Sequence, residues 1–329
     1  MPQTMLAKEV VKSAVLVACR APSVHNSQPW LWVYEDATLE LFLDPHRRVR
    51  NADRSGREAI VSCGVVLDHL RIAMAAGGWQ AQIDRFPNPN NLDHLASVKF
   101  GPLECVTDTQ RQRADAILQR RTDRLPLSCP TYWAAFEPVL RRSVAESVVV
   151  LDVLSDGARP QLAQASHLTE FLRRDDASYH AELQWWTSPF VAYEGVPPEA
   201  LASGPELQRV DVAREFPRRG LSDRRADAAM DWSEILVLST ESDSRTDLLA
   251  CGEALSTVLL ECTMAGMATC TLTHLIELAD SRDIVRTLIG ERREPQVLIR
   301  VGIAPPNELL PAATPRRRLD EILQFKEPR

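Results

Sequence analysis

The chain lacks the signatures of several chemistries. It has no G-x-G-x-x-G dinucleotide fingerprint, no Walker A phosphate loop, no G-x-S-x-G nucleophile elbow and no H-E-x-x-H zinc motif. Its seven histidines are scattered, with none beside an acid at metal-ligand spacing. Its seven cysteines (19, 63, 105, 129, 251, 262 and 270) form no Cys-x-x-Cys pair. A P-loop enzyme, a serine hydrolase and a metal site are therefore without sequence support, and no side chain is singled out as a catalytic nucleophile. A net basic balance is also missing: the formal charge is −7, so nucleic acid is not an expected partner. No window approaches eighteen consecutive apolar residues, so no membrane span is expected. Most of the cysteines read as small, buried, reduced thiols. Lys8, Glu9 and Lys12 interrupt the N-terminal apolar stretch and argue against a secretory signal. The expected compartment is cytoplasmic.

What is present is a chain of 329 residues, 45% apolar and 25% charged, with material for two domains or one large one. Ala7–Arg20 has a helical apolar face and stops at Pro22. "WLWVYED" (30–36) and "TLELFLD" (38–44) predict an antiparallel hairpin turning at Ala37. A long apolar helix follows over 59–79, with Gly77-Gly78 as its stop, and then a strand over 96–101. A second series opens near 111 with helices over 111–121 and 133–145 and a strand over 146–155. Residues 157–230 are polar and broken by prolines. A strand at 234–240, a long apolar helix at 246–269 and a strand at 295–305 follow, and a basic tail closes the chain. Placing Cys63-Gly64 on Cys251-Gly252 also aligns Leu67 with Leu255 and Gly78 with Gly266. The elements recur in the same order, which predicts a tandem α+β duplication with a boundary near 110/111. Each long helix is apolar all round and should be buried, against its counterpart.

Three segments are candidate binding elements. In "RAPSVHNSQPWLW", Ser23, His25, Asn26 and Gln28 lie between Pro22 and Pro29, pre-organised to meet a flat heteroaromatic ring or a polyol. Ser23 and Asn26 could equally cap their own turn while Trp30 fills the core. In "QRRTDR", Arg120, Arg121 and Arg124 surround Thr122, a good phosphate clamp. The same residues could be a solvated charge run complementing a helix dipole. Arg316, Arg317 and Arg318 form a third group, which alone reads as a surface tail. Two arginine groups in an acidic protein invite one anionic ligand as a common explanation.

"APSVHNSQPW" resembles the flavin-contacting A-P-S-x-x-N-x-Q-P-W segment of the nitroreductase superfamily, "RRTDR" its Arg-Arg-Ser-x-Arg opening, and "VLIRVGIAP" with "RRRLDEIL" its closing strand and tail. "DRSGREAIVSCGVVLDHLRIAMAAGGW" and "RRTDRLPL" resemble the mycobacterial Acg family, in which two nitroreductase-like copies are fused. The resemblance implies an α+β fold of two tandem copies, each a mainly antiparallel sheet packed on helices. It implies FMN as cofactor, with a small-molecule electron donor or acceptor. The A-P-S segment occurs only in the first copy and the arginine segments only in the second, so one complete site is expected per chain, between the halves. By resemblance, Pro22, Ser23, His25, Asn26 and Gln28 would line the flavin. Arg120, Thr122 and Arg124, with Arg316 or Arg317, would hold its phosphate or carbonyl edge; Arg121 is adjacent. The loop Leu272–His274, with Thr273 at its centre, should approach flavin N5, although the family's Pro-x-Glu-Gly is missing. The insertion 157–230, with Trp185, Trp186, Phe190 and Tyr193, could be a lid over the ring or a surface subdomain. Two function classes follow, an FMN-dependent NAD(P)H oxidoreductase and a closed-site flavin store. A fused pair already supplies its own interface, so a monomer would suffice.

Overall fold

A computed structural model describes residues 7–145, 147–188, 193–306 and 312–326. The first half runs α1 (Lys8–Ala18), β1 (Trp30–Glu35), β2 (Thr38–Leu43), α2 (Arg57–Ala76), β3 (Trp79–Arg85) and β4 (His94–Pro102). The second runs α3 (Asp108–Gln119), α4 (Trp133–Val144), β5 (Val150–Leu154), α5 (Arg159–Arg173), α6 (Ala177–Trp186), α7 (Gly204–Gln208) and β6 (Glu234–Thr240). It continues with α8 (Arg245–Met264), β7 (Ala268–Leu272), α9 (Ala279–Leu288), β8 (Glu294–Gly302), α10 (Leu319–Ile322) and β9 (Leu323–Phe325).

Two sheets result. The first has the order β3-β4-β2-β1-β9 and the second β5-β6-β8-β7. Pairing is antiparallel throughout except β1 with β9. Read from the other edge, the second order is β7-β8-β6-β5, so each strand repeats the place of its counterpart in the first sheet. The fold is thus α+β with two copies of one layout. α5, α6 and α7 lie between β5 and β6, where the first half has only a turn. Asp36 and Ala37 make that turn, both with left-handed φ (49° and 59°), the geometry that joins strands across two residues. Trp30, Trp32, Leu39 and Leu41 then point into the core, each fully buried.

The halves meet where α2 crosses α8. A Cβ on Gly64 would stand 2.2 Å from the Leu249 carbonyl oxygen, and one on Gly252 would stand 2.1 Å from that of Val61. The two backbones therefore touch, and only glycine permits it. Both helices are buried over most of their length, as their all-round apolar character predicts. α2 is apolar and long enough by composition to cross a membrane, but its surface is spent in this core.

Differences from the sequence reading are local. Residues 79–85 form a strand, because Gly78 (φ 85°) ends α2 one turn earlier than its apolar run suggests. Likewise Gly266 (φ 73°) ends α8, and 268–272 is a strand. The basic tail crosses over, and β9 joins the first sheet beside β1.

Arg282 ties α9 to the loop before α8 by two 2.7 Å bonds to Asp243. Burial pushes this carboxyl up, but bonds from Arg282 and Gln296 outweigh it and bring it to about 2. A depressed carboxylate stabilises the fold above its unfolded value of about 3.9 and loses that contribution as pH falls toward 2. Asp243→Asn should therefore flatten the acid limb of a pH–stability curve below about pH 4, read by chemical denaturation.

Candidate functional site

The loop between α1 and β1 is held in an uncommon conformation. His25, Asn26 and Gln28 all have left-handed φ (48°, 56° and 52°). Each costs about 1–2 kcal/mol, strain that persists only where surrounding structure fixes it. The fixing contacts come from three directions. Ser62 of α2 accepts from the Val24 amide at 3.2 Å. Asn26 donates to the Gly195 and Pro315 carbonyls, and Gln28 to that of Tyr193. The Arg317 amide donates to Gln28 Oε1 at 2.9 Å. The loop thus clamps the insertion and the tail onto the first half.

Two cavities open from this loop and share Pro22, Ser23, Thr122 and Arg124. The larger spans about 1090 Å³ of open space, solvent at its mouth included. Its walls include Ser23 and His25, Glu58 and Ser62 of α2, and the stretch Cys270–His274 at the end of β7. Leu201, Leu207, Arg214 and Phe216 of the insertion complete them. Phe216 packs edge-on against His25, centroids 5.8 Å apart, and Arg124 lies 5.7 Å from its ring. Burial, then Arg214 and Arg124, push His25 well below the usual imidazole range, so it is neutral.

The lining of the smaller cavity includes Arg20, Arg120, Arg121, Arg124 and Arg316. Among the described residues none of the five has a carboxylate within 4 Å. Burial, then Arg121 and Arg20, push Arg120 down to about 10. Burial, then Arg20 and Arg120, push Arg316 down to about 9. Guanidinium groups do not deprotonate at neutral pH, so the depression reads as uncompensated positive charge.

The five arginines do different things. Arg316 spends its donors on the carbonyls of Cys19, Arg20, Ala21, Thr314 and Pro315, so it contributes charge and ties the tail. Arg121 caps the end of α3 through the carbonyls of Leu118, Gln119 and Arg120. Arg20 reaches the Thr314 carbonyl and Arg124 that of Ala200. Arg120 is 7% exposed, and its Nε has no acceptor among the described residues.

The structure brings Pro22, Ser23, His25, Asn26, Arg120, Arg121, Thr122, Arg124, Thr273 and Arg316 to one or other cavity. Gln28 and Arg317 stand behind the wall. Gln28 holds the loop, while Arg317 bonds the Gln28 carbonyl and faces Asp44 and Glu321. The insertion does reach over the larger cavity, but through Phe216. Trp185 is exposed, and Trp186 stands behind the wall, in the cluster with Tyr179, Leu183 and Val49 against which Phe216 packs. Phe190 lies outside the described residues. Sequence reasoning missed Arg20, Glu58, Arg214 and Phe216. A glutamate at a helix start and arginines in a polar segment are too ordinary to stand out.

No family model matches the chain. An uncharacterized Mycobacterium tuberculosis protein, Rv3127, is 63% identical over 322 residues, spanning 97% of this chain and 94% of that protein. The "Putative NAD(P)H nitroreductase acg" of the same organism is 55% identical over 326 residues, spanning 99% and 98%. A crystal structure of a nitroreductase with bound FMN from Desulfitobacterium hafniense is 12% identical, covering 66% of this chain and 98% of that one, with a TM-score of 0.43. The chain belongs to the nitroreductase-like proteins. Within them it is a member of the Acg family.

Proposed function

We propose that the joined cavities bind one FMN per chain, between the two halves, and that the protein is an NAD(P)H-dependent flavin oxidoreductase. One observation carries this reading: a largely half-buried arginine cluster without counter-charge, with Arg120 buried at its centre, adjoins a cavity bearing orphaned polar atoms. His25 Nε2, Asn26 Oδ1, Arg120 Nε and His274 Nδ1 are buried and unpartnered among the described residues. Buried polar groups are rarely left so unless a ligand completes them. A phosphate at the arginines and a heteroaromatic edge in the larger cavity would satisfy both sets. The names of the M. tuberculosis relatives supply the electron donor, NAD(P)H.

The other half supports a single site. At the offset that places Gly64 on Gly252, Thr273 corresponds to Arg85 and Val65 to Glu253. Arg85 and Glu253 are joined to each other at 2.9 and 2.7 Å. Where the first site has cavity wall, its counterpart has a paired charge.

When bound, FMN supplies hydride exchange; the protein contributes position and electrostatics. Arg120 and Arg124 have donors to offer the phosphate, and Arg20, Arg121 and Arg316 add charge. Ser23, Thr122 and Thr273 present hydroxyls along the larger cavity. Leu201, Leu207 and Phe216 exclude water above it.

Those same insertion residues favour a second reading, a store that shields flavin and turns over little. Anaerobic titration separates the two. Bleaching of the yellow protein by NADPH is the result expected of the oxidoreductase, and bleaching by dithionite alone that of the store. Protein that remains colourless with added FMN would overturn both.

A further inference from the structure

We propose that Glu58 enters this cavity as a neutral carboxylic acid and donates the hydrogen bond that the bound flavin ring accepts. The inference rests on the FMN reading above and assigns a residue to its ring-binding end.

Glu58 is the second residue of α2, 4% exposed, and lies on the wall of the larger cavity. Its Oε2 is buried with no partner, and its carboxyl makes no ion pair among the described residues. Two cations stand near, and both are engaged elsewhere. Arg57 donates to the Ile276 carbonyl at 3.1 Å. Arg214 is bonded to Glu277, to the Tyr179 hydroxyl at 3.0 Å and to Thr273 Oγ1 at 3.3 Å. Two carboxylates face Glu58 as well. Glu277 lies between Arg214 and Arg173, and Asp53 accepts from the Ala59 amide at 2.9 Å. His25 and His274, from two further segments, are buried and held well below the usual imidazole range, so neither supplies positive charge. Burial, then Glu277 and Asp53, push the Glu58 carboxyl well above the usual range, and Arg214 and Arg57 oppose this less strongly.

A protonated carboxyl has one O–H to give. Ser62, the nearest hydroxyl on the same helix, already donates to the Glu58 carbonyl at 2.7 Å. Among the described residues no protein group is bonded to the Glu58 carboxyl, and the cavity it lines is open to the edge of a flavin, which presents carbonyl oxygens and ring nitrogens.

The proton has a stability consequence. A raised carboxyl is protonated in the fold and ionised in the unfolded chain, so stability falls as pH rises from the usual glutamate range toward the folded value. Glu58→Gln has no such loss, and its margin in thermal stability over wild type should widen with pH.

Three proteins test the hydrogen bond: wild type, Glu58→Gln and Glu58→Leu, titrated with FMN by fluorescence quenching from about pH 6 to pH 9. Glutamine keeps a donor and should bind within about threefold of wild type, with a flat pH profile; leucine should bind about tenfold more weakly. Wild-type affinity should decline as the carboxyl ionises. Separately, the infrared spectrum of wild type should show a protonated carboxyl band that Glu58→Gln lacks, a readout that needs neither ligand nor the leucine variant. Equal affinity in all three proteins, or no such band, overturns the assignment while FMN binding stands. If wild type itself takes up no FMN, the reading beneath it fails, and this one with it.

Discussion

Arg120→Ala is expected to weaken FMN binding about 10- to 150-fold, and Arg120→Ala with Arg124→Ala to give protein that loses its flavin on desalting. A hydrogen bond to a charged group contributes about 1.5–3 kcal/mol, which sets the single-variant range. Arg120 is the member of the cluster with the most to give, since Arg316 and Arg121 have spent their donors on backbone carbonyls. Arg316→Ala should consequently act differently, releasing the tail segment that braces Asn26 and Gln28. The flavin-free proteins provide a second sign. Five clustered cations, Arg120 buried and the others half-buried, have no counter-charge within reach and repel one another, so removing Arg120 should raise the melting temperature of apoprotein while reducing the stabilisation gained on adding FMN. Arg120→Lys keeps the charge but loses the planar fork, and should fall between wild type and alanine. A uniform loss of stability in both apo and holo forms would mean that Arg120 is structural.

Gly252→Ala should destabilise the fold by about 3 kcal/mol or more, and Gly252→Val should prevent folding at 37 °C. The added Cβ would meet the Val61 carbonyl oxygen at 2.1 Å and the Gly64 Cα at 2.7 Å, both backbone atoms of a helix that cannot yield locally. Separating α2 from α8 also parts Glu58 and Ser62 from Thr273 and His274, so flavin retention should fall with stability. Gly101→Ala is the control. Nothing lies within 4 Å of its Cβ position and its φ is ordinary for any residue, so it should stay within about 0.5 kcal/mol of wild type by denaturant titration.

Much of this arrangement is written in local patterns. Two short runs rich in aromatic, β-branched and leucine residues, 30–36 and 38–44, parted only at Ala37, specify the hairpin, and the all-round apolar character of the two long helices specifies their mutual burial. The glycines at their crossing align the two copies. The strands that follow those helices are less legible, because 79–85 and 268–272 begin one or two residues beyond the left-handed Gly78 and Gly266 and are short or half-exposed. The arginine segments stand out as charge, but sequence does not distinguish Arg316 from Arg317. One lines the cavity and the other turns back to Asp44, a difference set by which face of the tail meets Gln28. The Trp185-Trp186 pair attracts notice as an aromatic lid, yet Phe216 holds that position, because the path of the insertion decides which ring arrives. Glu58 carries no local signal at all. Its character comes from burial and then from Glu277 and Asp53, and Glu277 is more than two hundred residues away along the chain.

The central claim, one flavin site shared by two halves of one chain, is tested most directly by flavin stoichiometry. Protein saturated with FMN, freed of excess and denatured should release one FMN per chain by absorbance, identified as FMN by chromatography. Two per chain would contradict the single-site account, and none would contradict flavin binding itself.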